Sequence, residues 1–365
     1  MKQLIKLIII FLLLFPAIVL AQESETEQTS FEAEVIEIID SRELLREDGS
    51  KIIQQDVKLL GLTNGWQDKE IIAQGINNLD VIQGKVVKPG DKVVVAYLKN
   101  IDNEENFYIT DIVRRSYLYL LLVIFIILTI LIGRTKGAKA LLSLAITFAI
   151  IVWGIIPLIM HGYNPLIVTI LGSLLILTSI IYITWGIKRQ SHLALISISI
   201  SLLITGILSI IFSNLSELSG LADENVVFLI ESTSSVINFK GLLLAGIIIG
   251  TLGVLDDVVI SQISTVQEIK KANSNFGAYD LFKRGMRVGV DHISSMINTL
   301  FLAYVGVSLP LLLLFKVKSG FLVTWTQAIN NEIVATEIVR SLLGSIGLII
   351  AVPIATLIAA RYLKE

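Results

Sequence analysis

Two hydrophobic patterns divide this chain. Between residues 31 and 115 apolar positions alternate with polar ones or gather in short β-branched runs: FEAEVIEII, IIQQDVKLL, KVVVAYLKN and NFYITDIV. Such runs place successive side chains on opposite faces of a strand. Asp48-Gly49 and Pro89-Gly90-Asp91 supply turn chemistry between them. Four runs in about 85 residues predict a small β-barrel or sandwich. Beyond Arg115 the pattern changes to apolar stretches of about 20 residues, long enough to cross a hydrocarbon core about 30 Å thick. They fall at 117–133, 138–160, 165–187, 192–212, 241–263, 293–315 and 340–362. The predicted fold is an α-helical polytopic membrane bundle of about seven spans, preceded by an N-terminal exported small β-domain.

The first residues and the loop charges orient that bundle. Lys2 and Lys6 precede an apolar core from Leu7 to Leu20, and Val19-Leu20-Ala21 closes it before a polar stretch. This predicts a signal peptide over 1–21, cut after Ala21, with an uncleaved anchor as the alternative. Residues 22–30 read as a disordered lead-in to the exported domain, 22–116, and the multi-pass domain takes up 117–365. With 22–116 outside, the inner loops and tail hold 12 Lys and Arg residues, and the outer loops hold only Lys240, Lys316, Lys318 and Arg340. That bias obeys the positive-inside rule and puts the C-terminus in the cytoplasm. The outer segments 213–239 and 319–339 read as interfacial or re-entrant helices.

Composition narrows the chemistry. A chain that is 54% hydrophobic and 16% charged is too apolar for an ordinary soluble protein. Residues 22–115 carry 11 Lys and Arg against 19 Asp and Glu, so the exported part is acidic and nothing points to nucleic acid. Cysteine is absent and the three histidines, His161, His192 and His292, show no metal-ligand spacing. No metal and no cofactor is expected. Phosphate loops and Ser-His-Asp patterns are also lacking, so no enzyme activity is read from the chain.

Polar residues inside the apolar stretches are the candidate site. Asp256 and Asp257 sit in GLLLAGIIIGTLGVLDDVVIS. A charged group near the bilayer centre costs about 2.5–3.5 kcal/mol or more, so a carboxylate there asks for a reason. Asp257, Ser261, Ser264 and Glu268 share one helical face, with Asp256 about 100° away. Asp291, Ser295 and Asn298 form a matching stripe on the next span, flanked by His292 and Thr299. The two stripes can face one another across the bundle as an ion, proton or substrate path. The alternative is that the aspartates lie at the inner interface and anchor helices. Gly246, Gly250 and Gly253 make a small-residue groove for helix packing. Glu337 and Arg340 can pair at i, i+3 near the outer end of the last span, beside Glu332 and Thr336. Pro353 predicts a kink in that span.

GIIIGTLGVLDDVVISQISTVQEI, LFKRGMRVGVDHISSMINTLFLAYVGVSLPLLLLF and NNEIVATEIVRSLLGSIGLIIAVP resemble the YibE/F-like family of bacterial multi-pass membrane proteins. The resemblance spans the chain after the signal. It implies a cell-membrane protein, and an aspartate of the family's first motif at Asp257; some members lack an acid at the position of Asp256. Asp291, Asn298 and Glu337 also fall in matching motifs. It implies no established reaction.

Three classes of function remain. The first is a permease or ion-coupled transporter that uses the inner carboxylates, although no inverted repeat is evident. The second is a non-enzymatic membrane scaffold or export accessory that docks partners through the outer domain. The third, an intramembrane aspartyl hydrolase with Asp257 and Asp291 as a dyad, lacks the glycine-flanked aspartate expected of it. The partners expected are the lipid bilayer and either a second copy or a membrane partner protein.

Overall fold

The computed structural model describes residues 30–45, 51–63, 65–75, 86–99, 105–232, 237–317 and 324–363. The expected signal at 1–21, the lead-in up to residue 29 and the Asp48-Gly49 turn lie outside the described residues. The chain forms two compact units that divide after Arg134.

In the first unit, β1 (Ser30–Leu45), β2 (Lys51–Gly61), β3 (Glu70–Ala73), β4 (Lys92–Lys99) and β5 (Glu105–Ile112) form one antiparallel sheet in the order β3-β2-β1-β4-β5. Alternation decides its faces: Phe31, Ala33 and Val35 turn inward with Val57, Leu59, Val93 and Val95. Register shifts within β1, between Val35 and Glu37 and between Ile38 and Asp40, are bulges that bend the sheet. The edge strands β3 and β5 approach one another, so the sheet curls toward a barrel. Trp66 lies 5.3 Å from the ring of Phe31 and 5.0 Å from that of Phe107 and closes one side of the core. Gln55 fastens Val87, accepting from its N–H at 2.8 Å. The strand β3 was not expected: four residues are too few for alternation to stand out. A first helix, α1 (Arg115–Ile150), leaves the sheet, and Arg115 donates to Glu32 at 2.6 Å.

α1 breaks at Arg134, whose φ of 49° and ψ of −125° no helix can propagate. Beyond the break it runs through a π-helical turn (Ile151–Ile155) into α2 (Ile156–Met160). The break falls between the expected spans 117–133 and 138–160, and the residues on either side of it are helical. α3 (Pro165–Trp185), α4 (Arg189–Leu215), α6 (Phe239–Ala272) and α10 (Glu332–Tyr362) are also long and apolar enough to cross a membrane. The expected span 293–315 is divided between α7 (Ala278–Val307) and α8 (Leu309–Val317), which meet at 64°. Among the described residues, five helices qualify as spans, or six if the bent pair counts as one. Short helices α5 (Glu224–Ser232) and α9 (Trp325–Asn330) occupy the segments expected to be interfacial or re-entrant. α10 continues as one helix through Pro353.

The second unit is built on α4, α6 and α10, with α3 on one side and α7 on the other. Small residues let these helices approach. On α4, Ser197, Ser201, Thr205, Ser209 and Ser213 recur every fourth position and are fully buried. The first four return their hydroxyls to the carbonyl four residues back, which satisfies them inside an apolar bundle. A Cβ on Gly347 of α10 would come within 2.6 Å of Thr205 Oγ1 and 3.1 Å of Thr251 Cγ2, so these three helices meet at that glycine. Gln262 of α6 ties in α7 and α10 through bonds from Nε2 to the Gly285 carbonyl (2.8 Å) and to Thr356 Oγ1 (2.7 Å).

Candidate functional site

Contacts across α6 and α7 set the depth of the expected polar stripes. Gln262 and Val266 lie against Gly285, and Gly250 lies against Tyr304, so the two helices run antiparallel. This register puts Asp257 and Asp291 within about one turn of each other in depth, and Asn298 about level with Gly253.

The stripes do not face one another, however. α7 packs through Leu281, Gly285, Gly289 and Leu300, and its opposite face carries Arg284, Arg287, Asp291, Ser295 and Asn298, all exposed. The physical reason is the glycines: Gly289 has room for no Cβ beside Val352 and Gln262, so this side of α7 presses against the bundle and turns the polar side out. On α6, Gly246, Gly250, Gly253 and Asp257 form an exposed stripe of their own. Ser261 and Ser264 are half-buried, and Ser264 borders a narrow cleft beside Trp185 and Gln190. Asp256 is half-buried. Among the described residues, no ion pair reaches Asp256, Asp257 or Asp291.

The groove glycines also differ from expectation. Among the described residues, nothing comes within 4 Å of a Cβ built on Gly246 or Gly253, and Gly250 meets only the Tyr304 hydroxyl. Helix contact runs instead through Gly285, Gly289, Gly344 and Gly347. Spacing alone could have named Gly285-x-x-x-Gly289 as readily as Gly246-x-x-x-Gly250.

At the other end of the bundle, Glu337 and Arg340 pair as their spacing predicts, with Nη1 2.7 Å from Oε1. Both are partly buried, at 23% and 30% exposure, and Glu337 Oε2 and Arg340 Nε have no partner among the described residues. The pair borders a cavity of about 530 Å³ between α6, α8, α10 and the start of α5. Leu242, Leu243, Leu311 and Leu314 make an apolar wall, while Asp223, Asn225 and Thr336 add polar groups. Glu332 is structural: it accepts from Ser219 N–H at 2.6 Å, from the Ser219 hydroxyl and from Gly220 N–H, holding the loop that follows α4 to α10. Sequence reasoning missed this cavity because four distant segments build it. It also passed over the α4 hydroxyl stripe, whose four-residue spacing was visible. Among the described residues, no three His, Cys, Asp or Glu side chains gather as a metal site.

Long apolar helices packed through small residues and buried hydroxyls, joined to a small curled sheet, define a polytopic helical membrane protein. The chain belongs to the family described as YibE/F-like protein, whose sequence model matches residues 121–365. The matched region takes in the helical unit and leaves the sheet outside. No curated protein and no solved structure matches the chain.

Proposed function

We propose that this protein is a permease or ion-coupled carrier of the cell membrane whose coupling carboxylates are Asp257 and Asp291. The observation that carries the reading is the placement of two carboxylates, without an ion pair among the described residues, at similar depth on outward-turned faces of the neighbouring helices α6 and α7. Hydrocarbon is a poor surrounding for either face. The polar side of α7, from Arg284 to Asn298, extends about 21 Å along the helix, a substantial part of a membrane's thickness. Water in a path, closed on its far side by a second copy or a membrane partner protein, relieves that cost. Asp256, Ser261, Ser295 and Asn298 then line the path, and no residue is assigned a catalytic role.

Charge placement supports an orientation with residues 22–116 extracytoplasmic and the C-terminus cytoplasmic. α6 and α10 run parallel, with Thr251 beside Gly347 and Gln262 beside Thr356. Lys270 and Lys271 at the end of α6 therefore share one end of the bundle with Lys283, Arg284 and Arg361.

In proteoliposomes the parent protein should dissipate an imposed proton or alkali-cation gradient faster than empty vesicles do. Asp257→Asn and Asp291→Asn should each reduce that rate by about tenfold or more while eluting as the parent does, since charge neutralisation removes the coupling group without changing side-chain shape. No flux from the parent would overturn the reading and favour the second one, a membrane scaffold or export accessory. That alternative draws on the sheet's exposed isoleucines, Ile36, Ile39, Ile53 and Ile72, as a docking surface.

A further inference from the structure

The cavity beside Glu337 and Arg340 is a second site, at the end of the bundle opposite the basic loops and independent of the carboxylate faces. Its walls have two characters. Leu242 and Leu243 from α6 and Leu311 and Leu314 from α8 are hydrocarbon, whereas α10 presents a carboxylate and a guanidinium one turn apart. Apolar walls with a few convergent polar groups, in a volume of several hundred cubic ångströms, are the usual form of a small-molecule pocket.

The ion pair restricts which molecule fits. A simple cation that took Glu337 would leave Arg340 without its partner, and a simple anion that took Arg340 would strand Glu337. Either exchange leaves a partly buried charge uncompensated. A molecule that carries both signs replaces one ion pair with two charge-assisted contacts and leaves neither group alone. Glu337 Oε2 and Arg340 Nε are buried and have no partner among the described residues, so a ligand that parts the pair can satisfy both.

We propose that this cavity binds a zwitterion bearing a primary ammonium and an anionic oxygen group on an apolar body. The ammonium pairs with Glu337, the anionic group with Arg340, and the apolar body lies against the four leucines. Free aliphatic amino acids and short peptides have this chemistry, and so does the headgroup of phosphatidylethanolamine with its acyl chains.

The test uses the full chain in nanodiscs, with two measurements to separate the sources. Scintillation proximity reads binding of labelled leucine and trileucine. Native mass spectrometry reads retained phosphatidylethanolamine in competition with phosphatidylglycerol. One source should bind saturably or be selectively retained. Leu314→Trp, which fills the cavity from an exposed position of α8 without touching the pair, should weaken that binding about tenfold or more, as steric exclusion does. Glu337→Gln should weaken it comparably and should shift preference toward ligands whose amine is acetylated. Both variants are compared at matched monodispersity, so a folding defect is not read as lost affinity. Binding of neither source overturns the proposal, as does binding that Leu314→Trp and Glu337→Gln leave unchanged. Because the readout is binding, not flux, its failure leaves the carrier reading standing, and loss of flux leaves this one standing.

Discussion

Gly347→Leu is expected to prevent the helical unit from assembling. The added carbons have nowhere to go: the first would already stand 2.6 Å from Thr205 Oγ1 and 3.1 Å from Thr251 Cγ2. Neither neighbour is the free end of a flexible chain, because Thr205 is fully buried and holds the Ser201 carbonyl at 2.9 Å, and Thr251 holds that of Ile247 at 2.8 Å. Inserting methylenes into a close-packed core costs about 1–3 kcal/mol, and leucine for glycine at a three-helix meeting point belongs at or above the top of that range. Size-exclusion chromatography in mild detergent should show aggregate where the parent elutes as a single species. Gly253→Leu is the control. It has the same change in volume and a similar change in helix propensity, but nothing among the described residues within 4 Å of its Cβ, so the isolated chain should elute unchanged. A normal profile for Gly347→Leu would mean that α4, α6 and α10 do not meet as described.

Arg340→Leu is expected to destabilise the protein more than the double variant Glu337→Leu with Arg340→Leu. Removing one partner from a buried ion pair costs about 3–5 kcal/mol because the other charge is left behind. Exposures of 30% for Arg340 and 23% for Glu337 reduce this to about 2–3 kcal/mol, since partial hydration compensates the stranded carboxylate. Removing both partners abolishes the charge problem and extends the apolar wall of the cavity, so most of the loss should be recovered. Unfolding in mixed micelles measures both, and a double variant no more stable than Arg340→Leu would contradict this account of the pair.

Chain pattern made much of the architecture legible, and particular residues show where it stopped. Apolar stretches near 20 residues located the long helices α1, α3, α4, α6 and α10 because a membrane's thickness sets that length, but they missed the first half of α7. They placed a break near Arg134, where the backbone leaves helical geometry, but did not foresee the 64° turn between α7 and α8 at Ser308, since composition does not record backbone direction. Glu337 and Arg340 were legible as a pair because i, i+3 spacing is local. The orientation of α7 was not. Periodicity shows that Asp291, Ser295 and Asn298 share a face, but it does not say which way that face turns. Gly285, Gly289 and the amide of Gln262 settle the direction, and none of them carries a hydrophobic signal. The outer cavity needs side chains from residues 223–226, 242–243, 311–314 and 336–340, and their convergence is a property of the fold alone.

The central claim is that the open faces of α6 and α7 meet water in the membrane, and cysteine accessibility tests it most directly. The chain contains no cysteine, so each substitution introduces a single reporter. Asn298→Cys is the informative position because it lies about level with Gly253, well inside the α6 apolar stretch and away from either interface. Leu175→Cys, exposed on apolar α3, is the hydrocarbon control. In native membranes a small, membrane-impermeant thiosulfonate should modify Asn298→Cys rapidly and leave Leu175→Cys unmodified. Equal protection at both positions would place Asn298 in lipid or in a dry contact and contradict the path.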